Sequence, residues 1–86
     1  MTRVRLLYFS WVRERIGCAG EEVELPGAAD VAGLIDALAG RSAGHAAAFA
    51  DPARLRAAVN QQYCGFDHHI RDGDEIAFFP PVTGGR

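Results

Sequence analysis

Asp30-Val31-Ala32-Gly33-Leu34-Ile35-Asp36-Ala37-Leu38-Ala39-Gly40 is the stretch that decides the fold of this chain. Val31, Leu34, Ile35 and Leu38 recur at the i, i+3, i+4, i+7 spacing that places apolar side chains on one face of a helix. Asp30 precedes the pattern and the helix ends near Gly40. One face of one helix cannot form a core alone, so the rest of the chain has to supply the surface it covers.

On the N-terminal side, Thr2 to Phe9 alternates: Val4, Leu6 and Tyr8 fall on one side, Arg3, Arg5, Leu7 and Phe9 on the other. That period of two predicts a strand. Ser10 is expected to cap a short helical segment in which Val12 and Ile16 lie one turn apart, stopped by Gly17. Glu21 to Leu25, closed by Pro26 and Gly27, reads as a second strand, antiparallel to the first.

On the C-terminal side, residues 41–56 are alanine-rich and weakly patterned, which fits a second short helix and a surface loop at Asp51-Pro52. Leu55 to Val59 reads as a third strand, Asn60-Gln61-Gln62 as a turn and Tyr63-Cys64-Gly65 as a brief fourth strand. A turn at Asp72-Gly73-Asp74 leads into a last strand through Ile76 and Phe78. Two strands, a helix and further strands give an α+β order, and a β-grasp (ubiquitin-like) fold satisfies it: a mixed sheet packed on one main helix, with the first and last strands as neighbours.

With 86 residues, 49% of them hydrophobic, the chain has material for one domain and one core. So small a body leaves little room for a deep catalytic cleft, which directs attention to surfaces and tails. All nine basic residues are arginines, and eleven acids leave a net charge of −2, a balance that argues against a nucleic-acid footprint. Arg3 and Arg5 read as the exposed side of a strand. Without lysine, the chain offers no side-chain acceptor for isopeptide conjugation, so any ubiquitin-like chemistry has to use the C-terminus. No apolar run is long enough for a signal-peptide core or a membrane span, and a cytoplasmic location is expected. Cys18 and Cys64 lie far apart without a C-x-x-C pair and read as small apolar residues rather than a disulfide, zinc or redox site.

The common catalytic constellations are missing: there is no phosphate-binding glycine loop, no nucleophile elbow and no histidine pair at metal spacing. Adjacent His68 and His69 would point apart in an extended segment, so they read as solvated, and no metal is expected. The acids Asp67, Asp72, Asp74 and Glu75 lack the order of a calcium loop and read as turn chemistry. What remains is the tail, Phe78-Phe79-Pro80-Pro81-Val82-Thr83-Gly84-Gly85-Arg86. Pro80 and Pro81 stop the last strand and favour an extended backbone. Gly84 and Gly85 are thin enough to thread a narrow channel. The expected organisation is a β-grasp domain over residues 1–81 and a flexible tail over residues 82–86.

AAVNQ (57–61), FDHHIRDGDEIAFFPPVTGG (66–85) and the opening strand followed by VRERIG (12–17) closely resemble the molybdopterin synthase small subunits, the MoaD family, over nearly the whole chain. The resemblance implies a sulfur carrier that is itself non-catalytic. An E1-like adenylyltransferase, using ATP, would activate the carboxylate of Gly85. A sulfur-donating enzyme would convert the adenylate to a thiocarboxylate, and the synthase large subunit would catalyse transfer to cyclic pyranopterin monophosphate. Gly84 would supply slimness and flexibility, Val82 and Thr83 would continue the extended tail, and no cofactor would be held permanently. Matching positions imply that Phe9, Tyr63 and Phe79 form an apolar interface for the large subunit and, alternately, for the activating enzyme. Phe78 and Phe79 must face opposite sides of a strand, so one can belong to the core and the other to a surface.

Arg86 departs from the family, which ends in Gly-Gly with a free carboxylate. With Gly85 in a peptide bond, the standard route requires a protease that removes Arg86. Two other readings remain beside the resemblance: a carrier for thiazole synthesis or tRNA thiolation, and a non-covalent β-grasp interaction module, which Arg86 favours.

Overall fold

The computed structural model describes residues 2–27 and 30–81. Five strands, β1 (Thr2–Tyr8), β2 (Gly20–Leu25), β3 (Arg56–Val59), β4 (Gln62–Cys64) and β5 (Glu75–Phe79), form one sheet in the order β2-β1-β5-β3-β4. β1 and β5 run parallel at its centre, while the β1–β2, β3–β5 and β3–β4 pairs are antiparallel. The sheet is mixed and its first and last strands are neighbours, as the chain order predicts.

The helix expected from the central stretch is α2 (Val31–Ala39). Val31, Leu34, Ile35 and Leu38 are all buried, against inward-facing Val4, Leu6 and Tyr8 of β1, Val23 and Leu25 of β2, and Ile76 and Phe78 of β5. Burying each such side chain is worth about 1.5–3 kcal/mol. Asp30 caps α2 by accepting from the Gly33 amide at 2.8 Å. The amides of Val31 and Ala32 donate to the carbonyls of His68 and Phe66. The Phe66 to His69 turn therefore completes the start of α2 through its backbone, while both histidine side chains stay exposed.

Three boundary expectations need correction. Ser10 does not cap α1 (Ser10–Ile16): Phe9 occupies the cap position without a side-chain bond, and Ser10 is the first helical residue, at φ +58°. The parallel ladder explains this, because the Phe9 amide donates to the Phe78 carbonyl at 3.2 Å and holds the chain extended one residue further. The turn after β3 is Asn60-Gln61 alone, both at positive φ, so Gln62 already belongs to β4 and Gly65 does not. Such a two-residue turn matches the twist of an antiparallel pair. Leu55 also lies outside β3, as the C-cap of a short 3₁₀ turn (Pro52–Arg54) that forms at the expected Asp51-Pro52 loop. Gly17, at φ +99°, does end α1, its amide bonding to the Arg13 carbonyl.

Residues 41–56 supply α3 (Ala43–Ala48), capped by Ser42. Gly44 lets α3 approach α1 closely: a Cβ at this position would lie 2.4 Å from the Arg15 carbonyl oxygen.

Candidate functional site

β5 occupies the middle of the sheet, so Pro80 and Pro81, which follow it, lie between the ends of β1 and β3. Alternation divides its last residues. Phe78 is fully buried, its ring edge-on to Phe49 at 5.1 Å between centroids. Phe79 points to the other face of the sheet and packs on Tyr63 at 5.3 Å. Tyr63 and Phe79 come from strands on either side of β3, where the partner of Tyr63 is Ala58 and that of Phe79 is Arg56. Ala58 is only 5% exposed although it lies outside the main core cluster. The outer-face side chains cover it, and its small size leaves room for the two rings.

Phe9 continues the same outer face. It follows Tyr8, which pairs with Phe78, just as Phe79 follows Phe78 on the adjacent strand. Phe9 is 47% exposed and Tyr63 78% exposed, the two large exposed apolar residues among those described. Leu7 and Ala77, paired between β1 and β5, lie half-buried between them on this face. The three aromatic residues expected at an interface thus share one face of the sheet, with Tyr63 and Phe79 in ring contact. Apolar groups exposed in this arrangement mark a surface that gains by being covered.

Pro80 and Pro81 are half-buried and outside any strand, and Pro80 ends the ladder because proline has no N–H to donate. Val82, Thr83, Gly84, Gly85 and Arg86 lie outside the described residues.

The other candidates fall elsewhere. Cys18 and Cys64 are free and half-buried. Burial pushes the Cys64 thiol above its ordinary value, disfavouring the thiolate a nucleophile requires. Among the described residues no group of three His, Cys, Asp or Glu side chains could hold a metal ion, and no helix is long and apolar enough to cross a membrane. Arg3 and Arg5 do lie on the exposed side of β1, opposite Glu24 and Glu22 at 3.3 and 3.9 Å.

A buried polar network at the β2 edge escapes the sequence reading. His45 is buried; its Nε2 meets Glu21 Oε2 at 2.7 Å and its Nδ1 meets Ser42 Oγ at 2.7 Å. The Tyr8 hydroxyl donates to the same Glu21 oxygen at 2.7 Å. Burial pushes the Glu21 carboxyl up, but hydrogen bonds from His45 and Tyr8 outweigh it and hold the carboxyl below its ordinary value. Burial, reinforced by the bond to Glu21, drives the Tyr8 phenol well above its usual range. Glu21 is therefore an anion that accepts from both, which assigns the proton on Nε2 to His45. The Ser42–His45–Glu21 hydrogen-bond relay has the form of a hydrolase triad, but the Ser42 hydroxyl also accepts from the His45 amide as the cap of α3. The network ties α3 to the sheet and presents no free nucleophile. The available signal was parity: Glu21 falls on the same side of its strand as Val23 and Leu25.

The sequence profile of the ThiS family matches residues 6–85. The chain belongs to the ThiS family. Its curated relatives include the molybdopterin synthase sulfur carrier subunit of Escherichia coli strain K12, 47% identical over 85 residues, covering 95% of this chain and 99% of the relative. The subunit of the same name from Mycobacterium tuberculosis H37Rv is 38% identical, covering 99% and 100%. Among solved structures, a Pyrococcus furiosus protein provisionally assigned as molybdopterin converting factor, subunit 1, superposes with a TM-score of 0.80 at 33% identity, covering 95% of this chain and all of that one. The family match runs from Leu6 in β1 through the positions of Phe9, Tyr63 and Phe79 to Gly85.

Proposed function

We propose that this ThiS-family chain is the sulfur carrier subunit of a molybdopterin synthase and that it carries sulfur as a thiocarboxylate on Gly85. The observation that carries the reading is the similarity to the Escherichia coli sulfur carrier subunit along almost the full length of both chains. The outer-face aromatics support it, since they lie on the side of the sheet away from the helices and beside the strand that leads into the tail.

A carboxylate is a poor acyl donor because its leaving group would be oxide. Attack by the Gly85 carboxylate on the α-phosphorus of ATP, with release of pyrophosphate, creates an acyl adenylate whose leaving group is AMP. Sulfur supplied at the sulfide level by a donor enzyme attacks the Gly85 carbonyl carbon, displaces AMP and leaves the thiocarboxylate. The loaded tail then enters the large subunit, where its sulfur bonds to the pterin precursor and water cleaves the acyl–sulfur bond, returning Gly85 to a carboxylate. Two such rounds build a dithiolene. The small body contributes the docking face and the reach of the tail, while the activating enzyme and large subunit contribute the catalytic groups. A cytoplasmic setting, where ATP and reduced thiols are available, fits this chemistry.

Arg86 must be removed first, because as long as it is present Gly85 is an amide without a free carboxylate. The ThiS-family match ends at residue 85, leaving Arg86 outside it. A non-covalent interaction module is favoured by Arg86 alone. Intact mass analysis of protein isolated from its native source discriminates the two. Loss of one arginine residue, with replacement of one oxygen by sulfur in a fraction of molecules, supports the carrier; a uniformly intact, unmodified tail contradicts it.

A further inference from the structure

Trp11, on the first turn of α1, lies within cation–π distance of two guanidinium groups. Arg15 is 4.9 Å and Arg54 5.4 Å from its ring centroid. The indole is anchored against the core from below. Arg15 follows one helical turn along α1, and Arg54 arrives from the 3₁₀ turn before β3. Neither arginine forms a salt bridge among the described residues, unlike Arg3 and Arg5 on the sheet. Glu14, the sole carboxylate on α1, pairs with neither, and the Asp51 carboxylate is engaged by the Ala53 amide.

Two like charges held around one ring repel each other, and a carboxylate shared by both would relieve that repulsion. Stacking on an aromatic face leaves the planar N–H edge of a guanidinium open to in-plane acceptors. Position adds a second argument. Phe9, two residues before Trp11, bonds to Phe78, and Arg56, two residues after Arg54, pairs with Phe79. The cluster therefore flanks the end of the sheet from which Pro80 and Pro81 lead away. At the opposite end Asp72, Asp74 and Glu75 surround the start of β5, so Arg3 and Arg71 there lie among carboxylates. A chain with an overall charge of −2 thus presents a locally basic pole beside its tail.

Building on the sulfur-carrier reading, we infer that Trp11, Arg15 and Arg54 form an electrostatic docking site for an acidic segment of the large subunit, placed at the mouth of the channel that receives the tail. The cluster orients the approaching carrier tail-first, and the apolar outer face then makes the short-range contact. Such steering acts on the association rate and weakens with salt.

The test measures association of the full chain with its cognate large subunit by stopped-flow mixing at low and high salt. Three forms are compared: the unaltered chain, R15Q/R54Q, and R3Q/R71Q, which removes the same charge from the far end. The inference expects R15Q/R54Q to associate about tenfold more slowly at low salt, with the difference vanishing at high salt and R3Q/R71Q close to the unaltered chain. Circular dichroism establishes that each variant is folded. Equal slowing by both pairs, or no slowing by R15Q/R54Q, would overturn the inference and leave the carrier reading intact. Inhibition of the unaltered chain by millimolar inorganic phosphate at matched ionic strength, absent in R15Q/R54Q, would assign the cluster to a phosphate group and equally overturn it. Failure of the unaltered chain to bind the large subunit at all would contradict both readings.

Discussion

Phe79 and Tyr63 meet as a tilted aromatic pair with ring centroids 5.3 Å apart, spanning the outer side of β3 above Ala58. Phe78, one residue earlier, is fully buried on the opposite side. One position in the register of β5 thus separates a core residue from a docking residue.

Truncating either phenylalanine should have opposite consequences. Phe79→Ala is expected to leave the domain folded while weakening the complex with the large subunit by about 2 kcal/mol, some thirtyfold in Kd. Phe78→Ala is expected to cost about 3–5 kcal/mol of folding stability. Isothermal titration and thermal unfolding of the two variants check this, and unchanged affinity for Phe79→Ala would remove the aromatic face from the interface.

The Glu21 network gives a pH signature. Its folded-state carboxyl is held below the ordinary glutamate value of 4.5, so the unfolded chain takes up a proton first as pH falls. The stabilisation is therefore complete above about pH 4.5 and is lost as pH drops through the lower folded-state value. Glu21→Gln should cost about 1–2 kcal/mol near neutral pH, and its deficit against the unaltered chain should shrink below pH 4.5. Urea unfolding at several pH values provides the measurement; a deficit that does not change with pH would contradict the assignment of Glu21 as the anion.

Gly44→Ala sets two effects against each other. Alanine gains up to about 1 kcal/mol of helix propensity over glycine. Its Cβ, however, would sit 2.4 Å from the Arg15 carbonyl oxygen, a backbone atom that cannot swing aside. The clash should prevail, with a net loss of about 1–3 kcal/mol and a Tm lower by ~4–8 °C for each kcal/mol. A melting temperature equal to or above that of the unaltered chain would show that α1 and α3 can separate freely.

Local period made the central architecture legible. Val31, Leu34, Ile35 and Leu38 define a helical face, and Val4, Leu6 and Tyr8 define a strand face, without reference to anything distant. Phe78 and Phe79 were legible as a divided pair because adjacent strand residues must face apart. What could not be read depends on contacts between distant segments. The backbone at Ser10 is set by a hydrogen bond from Phe9 to Phe78, not by the capping preference of serine. The roles of Glu21 and His45 arise only when α3 folds back on β2. Arg54 meets Trp11 only because the 3₁₀ turn crosses to α1.

The central claim is that the C-terminal carboxylate of Gly85 is the reacting group, and adenylylation by the cognate activating enzyme tests it most directly. A chain ending at Gly85 and the full-length chain ending at Arg86 are each incubated with that enzyme and ATP, and AMP transfer is followed by intact mass. The chain ending at Gly85 should acquire AMP, and the full-length chain should remain unmodified until Arg86 is removed. Adenylylation of the full-length chain at Arg86, or no reaction of the chain ending at Gly85, would contradict the account.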